Sequence, residues 1–104
     1  MTKSACEVIT KTKIDTDLKQ PTRYSVILFN DEVTSAEFVV RTIMEVFGHS
    51  YDAAIVITSR IDSDGSGEVI SGLTKELASH LKNLVIVKAR AESFPLVAEI
   101  KEDS

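Results

Sequence analysis

Tyr24-Ser25-Val26-Ile27-Leu28-Phe29 runs into Asn30-Asp31-Glu32-Val33-Thr34-Ser35-Ala36-Glu37, and then into an apolar stretch from Phe38 to Phe47. The first six residues are rich in aromatic and β-branched side chains and contain no Gly or Pro, so they predict a strand. The middle is a polar corner. Thr34 is placed to cap the following helix, with Glu37 three residues on at capping-box spacing. Phe38, Val39, Val40, Ile43, Met44, Val46 and Phe47 then form a broad apolar face at helical spacing, and Gly48 is the expected residue just past its end. A strand thus delivers an acidic, amide-bearing turn to the mouth of a buried helix, a favourable place for a binding site.

Outward from this unit the chain alternates helix and strand signals. Ser50 opens a second helix, with Asp52 in its first turn and Tyr51, Ala54, Ile57 (or Thr58) and Ile61 on one face. This helix is expected to run out at Asp62-Ser63-Asp64-Gly65-Ser66-Gly67, a turn-rich stretch. Glu68 to Leu73 reads as a short strand. Thr74 caps a third helix through Leu77, Leu81, Leu84 and Val85, although Leu84-Val85-Ile86-Val87 also has strand propensity. Phe94 to Ile100 closes the domain as an alternating strand, with Pro95 among its first residues. The order β-α-α-β-α-β predicts a small α+β sandwich, a three-stranded antiparallel sheet with helices on one face.

Composition sets the bounds. The chain has 104 residues, one domain's worth. Residues 1–20 carry few large apolar side chains and read as a mobile arm before a core domain over 21–104, with an edge strand through Glu7–Thr12 as the alternative. A net charge of −4 argues against a nucleic-acid surface and is compatible with a cationic partner. One cysteine, Cys6, cannot form an internal disulfide, which points to a reducing cytoplasmic compartment. No apolar run approaches membrane-spanning length. There is no Ser-His-Asp order, phosphate-binding glycine loop or metal quartet, so neither an enzyme nor a cofactor is expected. His49 and His80 lack partners at ligand spacing and read as surface residues.

Asn30, Asp31 and Glu32 could join Asp62 around an ammonium group, since each oxygen accepts a charge-assisted hydrogen bond. A solvated loop with Asn30 bonding its own backbone as an Asx-turn is the alternative. Asp62-Ser63-Asp64-Gly65-Ser66-Gly67-Glu68-Val69 also matches the first two-thirds of an EF-hand loop, but position twelve is Leu73 and supplies no oxygen. Tight calcium binding is therefore not expected.

The strand followed by Asn-Asp-acid-x-Thr and then Glu-Phe-Val-Val resembles the signature of the ClpS family, adaptors that read destabilising N-terminal residues for a Clp protease. The similarity extends from about Pro21 to Ile100, and Phe94-Pro95-Leu96 matches the family's entry to its last strand. The resemblance implies that Asn30, Asp31 and Glu32 hold a substrate's α-ammonium group, with Glu32 in place of an aspartate. The family's histidine at the end of the second helix is replaced here by Asp62. It implies a side-chain pocket of Thr34, Ala36, Val39, Thr58, Ile61 and Leu96, in which Ala36 and Thr58 stand where methionines are usual. Partial refilling of the vacated space by neighbours such as Ile61 is expected to leave a shallower pocket with relaxed size selection. Docking on the Clp-type AAA+ unfoldase is implied for Glu76, with His80 beside it and Leu81 in place of a lysine. The implied partners are that unfoldase and polypeptides with a free destabilising N-terminus. Two rivals remain: a relative that docks on the unfoldase without binding N-terminal residues, acting as an inhibitor or specificity switch, and a calcium-binding or protein-interaction module on the same fold.

Overall fold

The structure is a computed structural model and describes residues 22–103. The 1–20 arm, its alternative Glu7–Thr12 strand and Cys6 lie outside the described residues. The elements are β1 (Tyr24–Phe29), α1 (Ala36–Phe47), α2 (Tyr51–Asp64), β2 (Ser66–Leu73), α3 (Lys75–Ala91) and β3 (Val97–Glu102). Both neighbours of β1 run antiparallel to it, giving the sheet order β2-β1-β3.

Strand alternation decides the faces. Val26 and Leu28 of β1, Val69 of β2 and Ala98 of β3 are buried and join one core with Phe38, Ile43 and Phe47 of α1. Ala54, Ile57 and Ile61 contribute from α2, and Ala78, Val85 and Ala89 from α3. Between these side chains lies the apolar burial that stabilises so small a domain. The conflict over residues 84–87 resolves as helix: Val85 and Ala89, four apart, are buried on one side of α3, while Leu84 and Val87 are 38% and 66% exposed. Tyr51, expected on the core face of α2, is instead 59% exposed.

Each helix starts on a hydroxyl cap. Ser50 accepts from the Ala53 N–H and Thr74 from the Leu77 N–H, both at 3.1 Å. At α1 the cap is Ser35, which accepts from the Phe38 N–H at 3.1 Å, and not Thr34. Thr34 instead donates both its hydroxyl and its N–H to Asp31. Gly48, at φ +74°, ends α1 as expected.

The second helix runs through Asp62, Ser63 and Asp64 and stops only at Gly65, whose φ of +89° turns its N–H onto the Ile61 carbonyl at 2.9 Å. The expected loop over 62–64 is therefore helical. An EF-hand loop cannot be laid over residues 62–73, which form the last turn of α2, Gly65 and β2.

The last strand begins at Val97, later than expected, because residues 92–96 form a connection held against the end of α3. The Phe94 N–H donates to the Ala89 carbonyl at 2.8 Å. The Arg90 guanidinium donates to the Phe94 and Leu96 carbonyls, each at 2.9 Å. Pro95 thus lies in the connection and not in the strand.

At the far end of the sheet Asp103, just past β3, hydrogen-bonds to the ends of the other two strands. Its N–H donates to the Arg23 carbonyl at 2.8 Å, and its carboxylate accepts from the Gly72 N–H and from the buried Ser25 hydroxyl. His49, expected at the surface, is half-buried and donates from Nε2 to the Val69 carbonyl at 2.7 Å, tying the α1–α2 turn to β2.

Candidate functional site

The corner after β1 is built by Asp31. Its Oδ1 accepts from the Val33 and Thr34 N–H groups at 2.8 and 2.7 Å, and its Oδ2 from the Thr34 hydroxyl at 2.8 Å. An Asx-turn, the alternative offered for Asn30, is thus formed by Asp31 instead. Burial works to raise the Asp31 pKa. The Thr34 backbone N–H, the Thr34 hydroxyl, the Val33 N–H and the Arg90 charge outweigh it and hold the carboxyl below its ordinary 3.8. In the unfolded chain these donors are lost, so the unfolded state binds more protons at acid pH. The stability Asp31 contributes is complete above its unfolded value and is lost as pH falls through the lower folded value. Expected in an NMR titration is an Asp31 carboxyl that ionises below the ordinary aspartate value of 3.8. Asp31→Asn removes its share of acid destabilisation in pH-dependent melting. An Asp31 midpoint at or above the ordinary value contradicts this wiring.

The Asn30 N–H donates to the Gly65 carbonyl at 2.9 Å, holding the corner against the C-terminal end of α2. A cleft of about 400 Å³ opens there between α1 and α2. Asn30, Asp31 and Asp62 line its polar end. Among the described residues neither the Asn30 amide nor the Asp62 carboxylate has a side-chain hydrogen-bond partner, so both are open to a ligand. Thr34, Ala36, Val39, Thr58 and Ile61 line the rest. Eight of the ten residues expected at the two parts of the site therefore meet in one cleft.

The other two stand apart from it. Glu32 is exposed and does not line the cleft. Leu96 is 1% exposed and lies behind the wall, bordering a void of about 20 Å³ together with Thr34, Val39 and Ile61. Ile61 lines the cleft together with Ala36. It is 3% exposed and presses toward Gly67, where an added Cβ would come within 2.8 Å of its Cγ1. The Thr58 hydroxyl is buried without a hydrogen-bond partner.

Three lining residues were not singled out in the sequence: Val40, Ile55 and Ser59. Their signal is helical spacing. Val40 is four residues after Ala36, Ile55 three before Thr58, and Ser59 three before Asp62. Arg90 was also missed; it acts from behind, through the 94–96 connection and through its charge on Asp31.

Such a cleft can take a cation in its acidic mouth and an apolar side chain along its walls. Glu76, His80 and Leu81 lie elsewhere, on the first half of α3, with Glu76 and His80 exposed and Leu81 half-buried. No α3 residue lines the cleft. Among the described residues no group of three or more His, Cys, Asp or Glu side chains is placed to hold a metal, and no helix is long and apolar enough to cross a membrane.

The profile of the family described as "ATP-dependent Clp protease adaptor protein ClpS" matches residues 19–99. The chain belongs to the ClpS family. It is 38% identical over 86 residues to the ATP-dependent Clp protease adapter protein ClpS of Helicobacter hepaticus, covering 83% of this chain and 86% of that protein. To the ClpS adapter of Campylobacter jejuni it is 37% identical over 95 residues, covering 90% of this chain and 97% of the relative. In three dimensions it is similar to Agrobacterium tumefaciens ClpS2 bound to L-phenylalaninamide, with a TM-score of 0.77 and 25% identity, over 81% of this chain and 100% of that one. Membership in the ClpS family thus agrees with the β-α-α-β-α-β order and with the motif at the head of α1.

Proposed function

We propose that this protein is a cytoplasmic, non-catalytic adaptor that holds the exposed N-terminal residue of a polypeptide and passes it to a Clp-type AAA+ unfoldase–protease. The observation that carries the reading is the cleft itself, which joins an amide and two carboxylates to apolar walls. The α-ammonium group of the bound polypeptide is held by Asn30, Asp31 and Asp62. Asp62, in the place of the family's histidine, offers a full negative charge where a neutral imidazole would offer a lone pair. Asp31 serves mainly by fixing the loop, with its remaining lone pairs turned to the ligand. The first side chain enters between Ala36, Val39 and Thr58, with Ile61 at its base. Leu96 supports Val39 and Ile61 from behind, and Glu32 adds charge at the rim. The L-phenylalaninamide on the Agrobacterium protein, a free amine on an apolar side chain, has the chemistry this cleft would accept.

Glu76, His80 and Leu81 form the unfoldase-facing surface, so that cargo and unfoldase are engaged on separate faces. Residues 1–20 act as the handle taken by the unfoldase. A reporter protein beginning with a free Leu is expected to be degraded faster by the unfoldase–protease when this protein is added. Removing residues 1–20 leaves peptide affinity unchanged and abolishes the acceleration. Peptide binding with no acceleration by the full chain rules out delivery, and inhibition of the protease without peptide binding favours the inhibitor reading.

A further inference from the structure

The cleft does not end at Ala36. A second cleft of about 420 Å³ continues from it along the α1–α2 groove and shares Ala36, Val40 and Ile55 with the first. Its own apolar walls are Met44 from α1 and Tyr51 from α2, with Glu37 and Arg41 at the rim. Arg41 is paired with Glu92 at 2.7 Å. Tyr51 and Ile55 are 59% and 41% exposed, large apolar surface next to the mouth of the proposed site. A larger side chain at position 36 would wall one cleft from the other; alanine leaves them joined.

We infer that the second cleft is a subsite for the third residue of the bound polypeptide, and that it takes an apolar side chain there. The inference rests on the N-terminal reading of the first cleft. Its warrant is continuity and spacing. Ala36, Val40 and Met44 succeed one another by four residues along α1, a step of about 6 Å along the helix axis. An extended peptide places side chains one and three on the same face about 6.6 Å apart, with side chain two on the other face. A peptide whose first side chain fills the cleft beside Ala36 therefore brings its third beside Val40, one helical step on, in the second cleft that Met44 and Tyr51 also line. Its second points to solvent.

The test uses the full-length protein and fluorescent peptides with a free N-terminal Leu, varied at position two or position three among Ala, Leu and Asp. Leu at position three is expected to bind about tenfold more tightly than Ala there, the scale of burying part of one side chain in an open groove. Leu at position two gives no such gain. Tyr51→Ala, at an exposed position, removes the position-three gain, and Met44→Ala reduces it; thermal melting of each variant reports its fold. A flat response at position three, or a gain that appears at position two instead, overturns the subsite while leaving the N-terminal reading intact, provided the acetylated Leu peptide binds far more weakly than the free one. Equal binding of acetylated and free peptides overturns both.

Discussion

Replacing Asp62 by Ala is expected to weaken binding of a free-N-terminal peptide by about tenfold to a hundredfold, the range for loss of a hydrogen bond to a charged partner, about 1.5–3 kcal/mol. Asp62 lies on the last turn of α2, exposed and lining the polar end of the cleft. Its removal leaves the ligand's ammonium facing Asn30 and an Asp31 whose oxygens already accept three hydrogen bonds. Asp62→Asn separates charge from hydrogen bonding: the amide oxygen still accepts, so the loss should be smaller and less sensitive to salt. Asp62→His tests the exchange with the family's usual residue. Rising pH deprotonates the introduced imidazole and should strengthen its binding of an ammonium that remains charged. If Asp62→Ala binds as the unmodified protein does, the ammonium lies elsewhere.

Ala36 carries the second large effect. In the unmodified protein, peptides beginning with Leu, Ile or Val should bind within about tenfold of one another, a spread of ~1.4 kcal/mol. The space beside Ala36 opens into the rest of the groove, since Ala36 lines both clefts. Branching at Cβ therefore meets no wall. Ala36→Met introduces one. Crowding of a branched side chain against it costs about 1–3 kcal/mol, so Ile and Val should fall by tenfold or more while Leu is retained. Fluorescence anisotropy over the three peptides measures this directly. A strong preference for Phe over Ile in the unmodified protein, or no change on Ala36→Met, shows that selection is set at another residue.

How far the sequence carried these conclusions differs from place to place. The strand at 24–29, the helix closed by Gly48 and the caps Ser50 and Thr74 were legible because propensity, capping and hydrophobic period agree there. The cap of α1 was misread by one residue. Thr34 and Ser35 both have the right side chain; Thr34 bonds to Asp31 instead, and Ser35 caps the helix. The 62–64 stretch was misread as loop because Asp and Ser favour turns, whereas the helix persists to Gly65, the first residue that readily takes positive φ.

The site itself was legible mainly through the resemblance. Spacing alone could not bring Asn30 and Asp31 to Asp62, since that contact depends on the Asn30–Gly65 backbone hydrogen bond between distant segments. Leu96 looked like a wall residue because it sits at the right place in the chain. Its burial behind Val39 and Ile61 is a matter of tertiary packing that no local pattern reports. The groove beyond Ala36 was invisible for the same reason: Val40, Met44 and Tyr51 read as core positions at helical spacing, Ile55 was not singled out, and only the side-by-side placement of α1 and α2 leaves them lining an open surface.

The most direct measurement is a titration of this protein with one peptide in two forms, its N-terminus free or acetylated, followed by fluorescence anisotropy. Acetylation removes the positive charge and two of its donors while leaving every side chain in place. An ammonium site at Asn30, Asp31 and Asp62 requires the acetylated peptide to bind at least about a hundredfold more weakly, because the carboxylates lose their cation and the acceptors that the peptide covers lose their partner. Equal affinity for the two forms contradicts it: the cleft would then be reading an apolar segment and not a polypeptide's N-terminus.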